Sequence, residues 1–315
     1  MTELPTVLLK TEDLSLSYGR LLAVDRLNLT VQKGEIYGFL GRNGAGKTST
    51  IRMLMGLIRP DAGRIEVLSF RGRRIGTRQK QQIGYVSQEQ HFYPWMSCRS
   101  LGHFVSAFYP TWDQAEFDRL LHVFDLPARC KAGHLSGGMR VKLALALALA
   151  YRPPILILDE PTAGLDPVAR REFLEIIGRQ AQQENRTTFF SSHVIDEVER
   201  IADRVGILHK GQLCYEGDIE TLQATVRRVD YVESEERTPG LPSPVDESQV
   251  HRDFVHKAEA SGFTVLRDDL DESSSLTMRG EPACWAEAPF SPSSIQGLSL
   301  EDIFIALAGE AAPQL

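Results

Sequence analysis

Short apolar runs alternate with longer amphipathic stretches over the first two thirds of the chain. Glu35–Leu40 (EIYGFL) reads as a strand running into a glycine loop, and Ser49–Leu57 reads as the helix that follows. Ile155–Leu158 (ILIL) is apolar without a break and runs into two acids, the pattern of a parallel strand buried on both faces. Thr187–Ser191 and Val205–Leu208 read as further strands with a helix between them. Strands alternating with helices predict an α/β fold with a parallel core sheet. From about His91 to Leu135 the helical period prevails, which predicts a helical insertion. The longest small-apolar run, Leu143–Tyr151, is bounded by Lys142 and Arg152 and reads as a buried helix. It falls far short of the ~20 residues a membrane helix needs.

Beyond residue 225 the pattern weakens. Val226–Val232, Phe263–Arg267 and Leu276–Met278 read as short strands, and Gln249–Ala260 as a helix. Leu300, Ile303, Phe304 and Leu307 share one face of a closing amphipathic helix. Charge changes at the same place. Residues 1–225 hold 28 Lys plus Arg against 25 Asp plus Glu, a net of +3, while residues 226–315 hold 7 against 17, a net of -10. Ser234–Ser248 (SEERTPGLPSPVDES) reads as a flexible linker. The expected organisation is therefore a first domain over 1–225, with its helical subdomain at about 91–140, and a small acidic domain over 226–315.

The net charge of the 315 residues is -7 and the pI is about 5.7, so no global attraction to nucleic acid is expected. The four cysteines, Cys98, Cys130, Cys214 and Cys284, form no C-x-x-C pair. That spacing argues against a zinc site or a disulfide framework and suits a reducing compartment. The first twenty residues lack a basic stretch followed by a long apolar core, so no signal peptide is expected.

The strongest chemical signal is Gly41, Arg42, Asn43, Gly44, Ala45, Gly46, Lys47 and Thr48, which fit G-x-x-x-x-G-K-T between a strand and a helix. Glycines let backbone N–H groups turn inward around phosphate oxygens, and the helix start adds partial positive charge. Lys47 can reach the terminal phosphates, and the Thr48 hydroxyl can hold a magnesium ion. Asp159 and Glu160, ending the apolar strand, suit an outer Mg²⁺ contact and the polarisation of an attacking water.

Leu135, Ser136, Gly137, Gly138, Met139 and Arg140, just upstream of that strand, resemble the LSGGQ signature of the ABC ATPase family. Other elements of that family follow in order over residues 1–225. Tyr18 looks like the aromatic ring that stacks on adenine. Gln88 looks like the Q-loop glutamine beside Mg²⁺ and the attacking water. Asp166, in AGLD, is similar to the D-loop acid at a dimer contact, and His193 looks like the switch histidine on the γ-phosphate. The signature departs from the family at Met139, where Gln or Glu is usual.

The resemblance implies a P-loop ABC ATPase fold with an N-terminal antiparallel β part, a helical subdomain and a small α+β C-terminal domain. It implies ATP and Mg²⁺ as ligands, with Glu160, His193, Gln88 and Lys47 catalytic and Thr48, Gln88 and Asp159 around the metal. ATP would contact Tyr18, Gly41, Asn43, Gly44, Ala45, Gly46, Lys47, Thr48 and Ser49 of one copy and Ser136, Gly137, Gly138 and Asp166 of a second. It further implies a transmembrane permease as partner, with Tyr93, Trp95 and Met96 near its coupling helix, and a peripheral position on the inner face of the cell membrane. Leu298–Phe304 (LSLEDIF) and Phe108–Asp113 (FYPTWD) are similar to segments of ATPases serving ABC-2-type exporters. The alternative is a non-transport ABC ATPase acting as a soluble clamp. The members of that kind that carry long coiled coils are disfavoured, because only about 90 residues separate Gly46 from Leu135 with no sustained heptads.

Overall fold

Two long strands, β1 (Val7–Tyr18) and β2 (Leu21–Gln32), pair as an antiparallel hairpin whose inward side chains, among them Leu14, Val24, Leu27 and Val31, are buried. The computed structural model describes residues 6–230, 247–268, 275–286, 288 and 295–308, and the chain divides into two compact units, 1–216 and 217–315.

After the hairpin comes β3 (Ile36–Gly41), buried along its whole length. A glycine turn leads into α1 (Lys47–Leu54). This helix starts two residues before the sequence pattern implied, because Gly46 at φ 109° caps it. It ends before Leu57 because Gly56 turns left-handed at φ 60°. β4 (Ala62–Val67) and β5 (Phe70–Gly72) complete an antiparallel sheet of order β2-β1-β4-β5, the expected N-terminal β part. The short α2 (Thr77–Lys80) and β6 (Ile83–Val86) follow.

The next segment is helical, as its period predicts: α3 (Cys98–Ser106), α4 (Gln114–Val123) and α5 (Gly137–Leu149). Each begins on a side-chain cap, Ser97, Asp113 or Ser136, that accepts from a backbone N–H of the first turn. The chain then alternates through β7 (Ile155–Asp159), α6 (Pro167–Glu184), β8 (Thr187–Ser192), α7 (Ile195–Ile201), β9 (Arg204–His209) and β10 (Gln212–Asp218). The central sheet has the order β10-β9-β3-β8-β7-β6, with parallel pairing from β9 through β6. β3, β7 and β8 are buried throughout, which explains why they read as unbroken apolar or small-residue runs.

In the second unit α8 (Ile219–Thr225) leads into β11 (Val226–Asp230), followed by α9 (Glu247–Ala260), β12 (Thr264–Asp268), β13 (Ser275–Arg279), α10 (Pro282–Ala286), β14 (Ile295–Gly297) and α11 (Leu300–Ala308). The strands form an antiparallel sheet of order β12-β13-β11-β14. Val229, Ala258, Phe263, Leu276 and Met278 make its core, and the Trp285 indole donates to the Thr225 carbonyl. The division between units therefore lies ahead of residue 225, because α8 packs on β11 and α11. Most of the linker expected at 234–248 lies outside the described residues; its last two, Glu247 and Ser248, instead begin α9.

Candidate functional site

The parallel register decides the site. β3 and β8 pair Leu40 with Ser192, and β7 and β8 pair Asp159 with Ser191. Their carboxyl ends stop at one edge of the sheet, the edge where open α/β sheets bind ligands. Three segments remote in sequence meet there: the glycine loop after β3, Asp159 and Glu160 at the end of β7, and Ser191 to His193 at the end of β8.

The glycine loop is shaped by backbone freedom. Gly44 and Gly46 take φ of 83° and 109°, and a Cβ on Gly46 would run into the Ala23 carbonyl oxygen. Ala45 is buried; its N–H bonds the Arg42 carbonyl and its own carbonyl accepts from Gly211. Lys47, the first residue of α1, is 4% exposed. Its ammonium donates to the carbonyls of Gly41 at 2.7 Å and Arg42 at 3.1 Å.

That ammonium also lies 3.0 Å from Glu160 Oε1. The other oxygen, Oε2, is 3.0 Å from His193 Nδ1 and 3.5 Å from Gln88 Nε2. Glu160 sits at φ 43°, a left-handed backbone that turns its side chain out of the strand line and back over the loop. The Ser191 hydroxyl holds both acids: it accepts from the Glu160 N–H at 3.0 Å and donates to Asp159 Oδ1 at 3.1 Å. Thr48 Oγ1 donates to the same oxygen at 3.2 Å. Burial pushes the Asp159 carboxyl above the usual carboxylate range, and the bonds from Ser191 and Thr48 oppose that shift.

Lys47, Thr48, Gln88, Glu160 and His193 of this group line a cleft of about 660 Å³, while Asp159 and Ser191 are not part of its lining. Its lining takes in Tyr18, Leu21, Leu22 and Lys210; Asn43, Gly44, Gly46, Lys47, Thr48 and Ser49 from the glycine loop and the start of α1; and Gln88, Glu160 and His193 with Thr162, Ala163, Gly164, Arg170, Val194 and Glu197. Tyr18 is half exposed, as a stacking ring open to a ligand would be. Thr48 Oγ1 and Asp159 Oδ1 are hard oxygen donors side by side, a donor set that fits Mg²⁺. Among the described residues no cluster of three or more His, Cys, Asp or Glu could hold a metal.

The sequence profile of the ABC transporter family matches residues 24–163. The bacitracin transport ATP-binding protein BcrA of Bacillus licheniformis is 39% identical over 225 residues, which cover 71% of this chain and 74% of that protein. This chain belongs to the ABC transporter ATP-binding subunits. The Nod factor export ATP-binding protein I of Burkholderia orbicola is 33% identical over 303 residues, 93% of this chain and 94% of that one. A solved ATP-binding subunit of an ABC transporter superimposes with a TM-score of 0.62 at 28% identity, covering 69% of this chain and 92% of that chain. The chain is thus an ATP-binding, ATP-hydrolysing subunit of a kind that works with membrane subunits.

Ser136, Gly137 and Gly138 are not among the residues that line the cleft. Ser136 accepts from the Met139 N–H at 3.2 Å and so caps α5. Asp166 accepts from the N–H groups of Val168 and Ala169 and caps α6. A Cβ on Gly138 would touch Ala169 at 3.4 Å and one on Gly137 would touch Leu165 at 3.9 Å, so the start of α5 neighbours the start of α6. Position 139 serves the cap through its backbone N–H, which any residue but proline supplies. The departure to methionine therefore costs the cap nothing.

Tyr93, Trp95 and Phe104 are exposed and in ring contact, Tyr93 to Trp95 at 5.2 Å and Tyr93 to Phe104 at 5.9 Å, and Phe108 continues the cluster at 5.4 Å. Met96 is half-buried beside them. Phe104 lies on α3 and Phe108 just after it, and the edge contact of Phe104 with Tyr93 joins them to the Tyr93 group. Sequence reasoning also passed over Ser191, Thr162, Arg170 and Glu197. The signal available for the first two was adjacency to SSH and to the strand-end acids.

Proposed function

We propose that two copies of this ATP-binding subunit close around ATP, hydrolyse it, and drive export by a separate permease at the inner face of the cell membrane. The observation that carries this reading is the convergence of Lys47, Gln88 and His193 on the Glu160 carboxylate at the carboxyl edge of the parallel sheet. In this assignment Glu160 is the general base toward the attacking water. His193 orients that base and faces the γ-phosphate. Lys47, released from Glu160, holds the β- and γ-phosphates with the glycine-loop N–H groups, and Tyr18 stacks on the base. Thr48 and Asp159 would hold Mg²⁺ with Gln88. When bound, that ion neutralises charge on the terminal phosphates.

Ser136, Gly137, Gly138 and Asp166 are absent from the cleft lining of their own chain, which favours their action on the nucleotide of a second copy. The exposed aromatic cluster of Tyr93, Trp95, Phe104 and Phe108 is the surface assigned to the permease, because rings in contact with water gain most by being covered. Among the described residues no helix is long and apolar enough to cross a membrane, in keeping with a separate spanning chain. Relatives named for bacitracin transport and Nod factor export favour export of an antibiotic, peptide or lipid-like compound.

The test is to co-purify the tagged chain from detergent-solubilised membranes and assay ATPase activity on the same sample. A multi-span partner, with activity that collapses in Glu160→Gln, is the expected result. Recovery of only soluble proteins, or parental turnover in Glu160→Gln, would overturn the motor or the base assignment respectively.

A further inference from the structure

One carboxylate outside the catalytic set ties three segments of the cleft together. Glu197 lies in the first turn of α7 and is 2% exposed. Its Oε1 accepts from Thr162 Oγ1 at 2.7 Å, and its Oε2 accepts from Ser192 Oγ at 2.6 Å. Arg170 Nε is 3.3 Å from Oε1. Ser192 Oγ in turn accepts from the Val194 N–H at 2.9 Å, so the residues on both sides of His193 are pinned. On the other side, the Ala163 N–H donates to the Glu160 carbonyl at 3.1 Å, which joins Thr162 to the base through one tight turn.

We propose that Glu197 is the positioning residue that sets the geometry between Glu160 and His193, an inference that rests on the roles given to those two residues above. A buried carboxylate is costly unless it is paired; here two hydroxyls bond its oxygens and the Arg170 guanidinium lies beside it as a counter-charge. The His193 side chain is 41% exposed, so its placement depends on its backbone. That backbone is held by Ser192, and Ser192 is held by Glu197. Glu160 and His193 come from the ends of different strands, and misplacing a catalytic group by 1 Å costs about 10²-fold in rate. Glu197 touches neither the base nor the histidine. Its loss should lower turnover through them while leaving nucleotide affinity in place.

The experiment is a double-mutant cycle on the full chain: parent, Glu197→Gln, His193→Ala and the double variant. Steady-state ATPase gives kcat and KM, single-turnover assays cover the slow variants, and ATP affinity is measured separately. Glutamine keeps the size of the side chain but cannot satisfy both hydroxyls and Arg170. Glu197→Gln should lower kcat about tenfold or more, move KM and Kd less than about twofold, and add less than about twofold to the loss from His193→Ala. Full multiplication of the two losses, or a Kd that weakens as much as kcat falls, overturns the proposal. If Glu197→Gln does not fold, Thr162→Val with Ser192→Ala removes the two hydroxyls and leaves the Arg170 pair. The same pattern is expected there, and an unchanged kcat overturns the proposal. His193→Ala or Glu160→Gln at parental turnover would sink the catalytic assignment itself, an outcome distinct from additivity in the cycle.

Discussion

Lys47 and Glu160 hold each other: ammonium and carboxylate are 3.0 Å apart, both nearly sealed from water, at a point where two strands from opposite halves of the first unit end. In the proposed assignment ATP competes with Glu160 for Lys47. Removing the carboxylate frees the ammonium, so Glu160→Gln should bind ATP more tightly than the parent by about tenfold, or about 1.4 kcal/mol, measured by equilibrium titration with EDTA. The same variant should lose 10²-fold or more of its ATPase rate, on the order expected for a general base. Unchanged affinity would mean that the pair does not oppose nucleotide.

Gly46→Ala places a Cβ against the Ala23 carbonyl at a left-handed backbone position. The loop must shift to accept it. Nucleotide binding should be lost while the far-UV spectrum of the chain is kept, because the shift is local to the β3–α1 turn.

Asp166 serves α6 as a cap and is assigned to a partner contact. Asp166→Ala should cost about 1 kcal/mol of stability, whereas Asp166→Asn, which still caps, should stay within about 0.5 kcal/mol of the parent. ATPase activity should fall in both, since only the carboxylate can serve the second copy. Thermal melts beside phosphate-release assays separate the two effects.

Glu116 supplies a pH test. The Arg119 guanidinium bonds its carboxylate at 2.6 and 2.9 Å and holds it below the usual carboxylate range, against the opposing effect of burial. A lowered value in the folded chain means stability that is present above the ordinary glutamate pKa of about 4.3 and lost as pH falls through the lowered value. The melting temperature of Glu116→Gln should therefore lie below that of the parent at pH 7 and pH 5. The gap should close as pH falls below about 4.

Trp95→Ala and Phe104→Ala remove exposed rings from the cluster assigned to the permease. Each should reduce recovery of a membrane-spanning partner in detergent co-purification, with Trp95, 66% exposed, the larger loss. A charge-neutral change at exposed Leu57 serves as the control surface.

Much of the first unit was legible because its signals are local. Ile155–Leu158 is an unbroken apolar run since water reaches neither face of β7, and the glycine loop is visible since Gly46 occupies a conformation that side chains resist. Boundaries were less legible. The start of α1 and the division between units at 216/217 depend on a capping glycine and on packing of α8, neither of which has a periodic signature.

By itself the sequence determined the family and the α/β alternation, and it singled out the phosphate-loop, acid and switch candidates, because each is carried by residue type at short spacing. Tertiary structure decided which of them meet. The parallel register of β3, β8 and β7 brings residues 47, 160 and 193 within hydrogen-bond reach, puts one serine between both acids, and gathers Thr162, Arg170 and Ser192 on Glu197. Those are contacts between strand ends and helix starts far apart in the chain, and a hydrogen bond of that kind leaves no periodic trace in the sequence that makes it.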